Sequence, residues 1–180
     1  IVIDVDGTLL DSEKQISEKT VETIVDAQKR GKKIAIASGR SIAGIRKNVA
    51  KIQLEKYGGY VIAYNGTTVV NCKTGECIYN QMVPGEILSQ VYNEAVKSGV
   101  AIAVYNDAAK EIIVGNGLNK YVELDAIACD VAVRESNDFV KTVNFGFNKI
   151  LLSGEPDNMK NIEKHMLEMF GDKVNVFRSD

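Results

Sequence analysis

Two aspartates spaced two residues apart close the first apolar run of the chain, where Ile1-Val2-Ile3 leads into Asp4-Val5-Asp6-Gly7-Thr8-Leu9-Leu10. On an extended segment residues i and i+2 point to one side, so Asp4 and Asp6 can converge on a single small target. A phosphoryl group or a hard cation fits that description. Gly7 brings turn chemistry and Thr8 a hydroxyl to the same strand end.

The elements that must position this pair are legible from the pattern. Residues 1–4 read as a buried strand ended by the Asp6-Gly7 turn. Ser17-Glu18-Lys19-Thr20 supplies an N-cap and an acidic first turn for a helix to about Arg30, with Val21, Ile24, Val25 and Gln28 on one face and Gly31 as its stop. Ile34-Ala35-Ile36-Ala37 is a second buried strand, which ends at Ser38-Gly39-Arg40. Strand, helix, strand over about forty residues predicts a right-handed βαβ unit with parallel strands. Ligands of open parallel sheets bind outside the carboxyl ends of the strands. Ser38 and Gly39 are therefore expected beside the two aspartates. A helix from Ser41 to Lys51 would aim its free N–H groups at the same spot, which suits an anion. Arg40 is open between contacting a substrate anion and pairing with an acidic neighbour. After Gly58-Gly59, residues 60–64 form a third strand that runs into Asn65-Gly66. Asn65 is a candidate substrate contact and, equally, a turn asparagine at positive φ.

The composition excludes several functions. With 45% hydrophobic and 26% charged residues and a formal net charge of −2, the chain has a sizeable core and no basic field for nucleic acid. No apolar run reaches bilayer length and no basic leader precedes the first strand, so a cytoplasmic protein without membrane association is expected. Three cysteines do not make a disulfide framework. Cys72 and Cys77 flank the loop of an expected hairpin and read as free thiols, and Cys129 as buried. Lys14, Lys29, Arg30, Lys32 and Lys33 form no continuous stripe and read as solvated helix ends. His165, the sole histidine, reads as structural. The partner is expected to be a small molecule, and oligomeric state is not legible.

Beyond a hairpin over residues 67–79 the organisation changes near Met82-Val83-Pro84. A helix over 86–98, strands over 100–105 and 111–114, short helices or turns over 118–129 and 136–142, a strand within 143–152, a helix over 156–170 and a strand over 173–177 predict a second α/β layer on its own sheet. The boundary is placed near residue 80.

Asp-x-Asp-Gly-Thr-Leu-Leu after the first strand, Ser-Gly-Arg after the second, Asn-Gly after the third and a following α/β segment of about a hundred residues resemble the haloacid dehalogenase superfamily, in particular its Cof-like branch. The resemblance implies a Rossmann-like parallel-sheet core, here partial over residues 1–80. It further implies an inserted α/β (α+β) cap over residues 81–178, with 179–180 returning towards the core. It also implies a Mg²⁺-dependent phosphatase of small phosphorylated metabolites. Asp4 would be the nucleophile and Asp6 the general acid and base. Mg²⁺ would be held by the Asp4 carboxylate and the Asp6 main-chain carbonyl. Ser38 and the N–H groups around Gly7 and Gly39 would bind phosphate, and Arg40 and Asn65 would meet the substrate. The lysine and the Gly-Asp acidic motif of the family pattern are not found. Gly171-Asp172 reads as a turn and Lys149 as structural. Both ends of the chain read as cut, and the 180 residues alone are expected to be inactive or very weak. Two alternatives stand beside this reading: a non-catalytic metal- or phosphate-binding module, and a phosphotransferase of the same superfamily. A bare Asp-x-Asp also serves glycosyltransferases that hold Mn²⁺, and the flanking strand and Gly-Thr argue against that use.

Overall fold

The computed structural model of the chain describes residues 1–108 and 110–178. The expectation for 179–180 lies outside the described residues. The chain divides into two compact units between Gln81 and Met82.

In the first unit the short apolar runs become β1 (Val2–Asp4), β2 (Ala35–Ala37) and β3 (Tyr60–Ala63), all parallel. A hairpin of β4 (Thr68–Asn71) and β5 (Cys77–Asn80) extends the sheet antiparallel from β3, giving the order β1-β2-β3-β4-β5. Asp4 pairs in register with Ala37, and Ala37 with Ile62, so the carboxyl ends of all three parallel strands lie on one edge. Helices α1 (Glu18–Lys29) and α2 (Ile42–Lys51) start where the sequence predicts. The Ser17 and Ser41 hydroxyls accept from the N–H groups of Thr20 and Gly44, each at 3.1 Å. Each cap is worth about 1 kcal/mol. Ile36, Ile45, Ile52 and Leu54 are fully buried and form the core of this unit. The four-residue α3 (Leu54–Tyr57) was not anticipated: it follows a left-handed Gln53 and ends on a left-handed Gly58, too short to leave a periodic signal. A groove of about 310 Å³ lies between Ile3, Leu9 and Ile24, and none of the candidate site residues lines it.

The second unit carries a sheet in the order β8-β7-β6-β9, from β6 (Ala101–Asn106), β7 (Glu111–Gly115), β8 (Ala132–Glu135) and β9 (Ile150–Ser153). β6 is antiparallel to both neighbours and β8 runs parallel to β7. Helices α4 (Glu86–Lys97), α6 (Phe139–Thr142) and α7 (Pro156–Phe170) contribute Leu88, Val91, Phe139, Met166 and Phe170 to one core cluster with Ile102, Val104 and Ile113. Helix α5 (Lys120–Cys129) buries Val122, Ala126 and Cys129.

Two expectations are corrected here. Residues 173–177 are not a strand: Lys173 and Val174 fold back so that both N–H groups donate to Phe170 O, and Val174 and Val176 pack on the core cluster. Their alternation reports packing, not ladder pairing. β8 was missed because its four residues are all exposed and it exists by virtue of pairing with β7.

Candidate active site

Immediately after β1 the chain makes one tight turn, closed by Leu10 N–H donating to Val5 O at 3.0 Å. Inside it Asp6 is extended and Gly7 sits at φ 76°. Space around Gly7 is open, so it is the left-handed backbone that calls for glycine there. The turn places Asp4 and Asp6 at the sheet edge, both exposed to solvent.

Asp6 is held by two cations. Arg40 donates to it in fork geometry, Nε to Oδ2 at 2.8 Å and Nη2 to Oδ1 at 2.7 Å. Lys14 Nζ lies 3.2 Å from Oδ1. The Arg40 hydrogen bonds are the main reason the Asp6 carboxyl titrates below its ordinary value, with Lys14 adding to them and partial burial opposing. Of the two readings of Arg40, the structure displays pairing with an acidic neighbour. The reading of Lys14 as a solvated helix end is corrected: its ammonium sits on the carboxylate of the motif.

The loop at the end of β2 is stitched to the end of β3. Ser38 N–H donates to Ile62 O at 2.9 Å, Tyr64 N–H to Arg40 O at 3.0 Å and Asn65 N–H to Ser38 O at 3.1 Å. Ser38 is 9% exposed, and its Oγ accepts from Arg40 N–H at 3.2 Å, which leaves the hydroxyl proton to donate. Of the two readings of Asn65, the structure displays the turn asparagine at positive φ: the pair ends β3 and turns the chain into β4. Tyr64 and Asn65 are left-handed at φ 50° and 55°, and Gly66 follows at φ 95°. A bulky aromatic in that region is strained, and such strain persists only where the surroundings enforce it. Here the two N–H bonds to the Ser38–Arg40 loop do so. The Asn65 side chain lies against Gly39 so closely that a Cβ there would stand 2.5 Å from Asn65 Oδ1. The structure thus brings Asp6 to Arg40, and Ser38 and Gly39 to Asn65, with Asp4 in register one residue before Ser38.

The donors on hand for a cation are hard oxygens, namely the exposed Asp4 carboxylate and main-chain carbonyls of the turn. These suit Mg²⁺ in kind, since that ion is commonly bound by one or two carboxylates and water. They do not complete a cage, because no group of three His, Cys, Asp or Glu side chains among the described residues converges on one point.

Other candidates resolve as structural. His165 Nε2 lies 2.9 Å from Glu94 Oε2, tying α7 to α4. Gly171-Asp172 forms the turn after α7. Cys72, Cys77 and Cys129 are free thiols, and burial, aided by Glu55, pushes Cys72 up to about 11. No helix among the described residues is long and apolar enough to cross a membrane.

A family model described as haloacid dehalogenase-like hydrolase matches residues 1–180. The fold superposes on a haloacid dehalogenase-like hydrolase from Bacteroides thetaiotaomicron with a TM-score of 0.93 at 32% identity, covering 99% of this chain and 66% of that one. TM0651 from Thermotoga maritima gives a TM-score of 0.77 at 27% identity, covering 99% of this chain and 65% of that one. YxeH of Bacillus subtilis (strain 168), provisionally named a phosphatase, is 38% identical over 78 residues, which is 43% of this chain. That match spans only 29% of the length of YxeH.

Proposed function

Since the chain belongs to the haloacid dehalogenase-like hydrolases, we propose that the protein hydrolyses phosphate monoesters of small metabolites through an aspartyl-phosphate. The observation that carries this reading is that Asp4, Asp6 and the Ser38–Arg40 loop stand at one sheet edge, with Asp6 bound by Arg40.

In the proposed sequence a carboxylate oxygen of Asp4 attacks phosphorus in line, forming the O–P bond as the ester P–O bond breaks. Asp6 delivers a proton to the departing oxygen. Water then attacks the aspartyl-phosphate, Asp6 takes up its proton, and inorganic phosphate leaves with Asp4 regenerated. Ser38 Oγ–H and the N–H groups near Gly7 and Gly39 orient the phosphoryl oxygens, which is the greater part of catalysis in phosphoryl transfer. Mg²⁺, when bound by Asp4 and the Asp6 carbonyl, offsets repulsion between the anionic nucleophile and the phosphoryl oxygens. Arg40 fixes the direction of the Asp6 carboxyl, and the proton that Asp6 gives to the leaving oxygen is returned to it by the attacking water, so the cycle closes. Asn65, packed on Gly39, borders the substrate position.

The test is hydrolysis of an aryl phosphate by the full-length protein with and without Mg²⁺. Mg²⁺-dependent turnover is expected, and Asp4→Asn should reduce it at least about a thousandfold while leaving the circular dichroism and Tm intact. Ligand-induced stabilisation without turnover would mark a binding module instead.

A further inference from the structure

Lys14 is held where a lysine is costly. It is left-handed at φ 59°, a region that disfavours residues with a Cβ. The loop around it is built to keep it there: Asp11 Oδ1 accepts from the N–H groups of Glu13 and Gln15, each at 2.9 Å. Asp11 N–H donates to Gln15 O at 2.9 Å and Lys14 N–H to Asp11 O at 3.0 Å. Glycine or asparagine would hold this turn with less strain. What the lysine adds is an ammonium 3.2 Å from Asp6 Oδ1.

Asp6 does not need that ammonium, since Arg40 already occupies both its oxygens. The three side chains together carry a net charge of +1. The Lys14 side chain is 64% exposed, so its contact with Asp6 is a weak, water-competed pair, and two of its three N–H donors remain for another anion. Asp6 is the group assigned to the leaving oxygen. By that assignment Lys14 Nζ, which shares Asp6 Oδ1 with Arg40, lies beside the group that meets the leaving oxygen.

We infer that Lys14 makes the site favour phosphate monoesters whose leaving alcohol carries a second negative charge, a carboxylate or a further phosphate, close to the ester oxygen. This rests on the assignment of Asp6 to the leaving oxygen in the proposed function. A neutral alcohol of equal size leaves the extra positive charge unmatched.

The test compares glycolic acid phosphate with ethylene glycol monophosphate in the full-length protein, with an aryl phosphate as reference. The pair differs by a carboxylate against a hydroxymethyl group. Wild type is expected to show kcat/KM about tenfold higher on the acid-bearing probe, and raised salt should shrink the preference. Lys14→Gln and Lys14→Gly should both bring the ratio close to one, and Lys14→Gly should hold or raise Tm by relieving the left-handed strain. Equal kcat/KM for the two probes in wild type overturns the inference, as does a ratio unmoved by either variant. Turnover of the aryl phosphate with neither probe hydrolysed overturns it as well. A fall in Tm with equal loss on both probes makes Lys14 a structural residue and overturns it too. No turnover of any of the three esters instead refutes the phosphatase reading on which it rests.

Discussion

The two units solve different problems with the same kinds of element. In residues 82–178 the central strands β6 and β7 are buried almost throughout, and the start of α5 is closed by Asn119. Asn119 Oδ1 accepts from the N–H groups of Tyr121 and Val122, each at 3.1 Å, and its Nδ2 donates to Ser153 O at 2.9 Å. In residues 1–81 the strands are shorter. Their carboxyl ends present exposed aspartates, left-handed non-glycine residues and a carboxylate wedged between two cations. Left-handed non-glycine residues occur in both units; in the first, Lys14, Tyr64 and Asn65 gather at the strand-end loops that carry Asp6 and Arg40. The difference marks where chemistry is to be sought.

Breaking the packed unit should cost the most. Phe139 is 1% exposed, stacks on Tyr92 with ring centroids 5.6 Å apart and belongs to the core cluster. Phe139→Ala is expected to destabilise residues 82–178 by about 3–5 kcal/mol, the usual cost of emptying an aromatic core site. Hydrogen exchange resolved by segment checks this: protection should fall in β6 and β7, with β2 and β3 retaining theirs.

Removing the fork on Asp6 should cost less and act on function. Arg40→Ala is expected to lower kcat/KM about tenfold to a hundredfold on an unactivated alkyl phosphate, and much less on an aryl phosphate whose good leaving group needs little proton transfer. Rescue by added guanidinium would assign the effect to the lost side chain. The stability consequence has a definite sign. Asp6 titrates below 3.8 because of Arg40, so the contribution of the pair is present above 3.8 and is lost as pH falls through the lower folded value. The Tm difference between wild type and Arg40→Ala should close in acid.

The smallest effect belongs to the satisfied surface of the second unit. Lys97 and then His165 hold Glu94 below its ordinary 4.5. Its contribution is present above 4.5 and is lost as pH falls through the lower folded value. Glu94→Gln should flatten this part of the acid dependence of Tm by a small amount.

Most of the positioning frame was legible because it is local. Ser17 and Ser41 announce their helices, and the strand-end motifs announce the sheet edge. What escaped depends on tertiary partners or on backbone angles that residue type does not encode. β8 needs β7 beside it, and the run 173–177 pairs with no strand among the described residues despite its alternation. The Asp4/Asp6 pair and the Ser38–Arg40 loop could be read directly. The contact of Lys14 with Asp6 could not, because it depends on a left-handed turn and a reach across eight residues. The one available signal was Asp11 at the start of that turn.

The contact between Gly39 and Asn65 also restricts how the sequence can drift. With Asn65 Oδ1 where a Cβ at 39 would stand, any residue larger than glycine at 39 must first displace the side chain at 65. The two positions are coupled: a methyl group at 39 turns the terminal amide of Asn65 away from its present place, so what position 39 can carry depends on which side chain stands at 65.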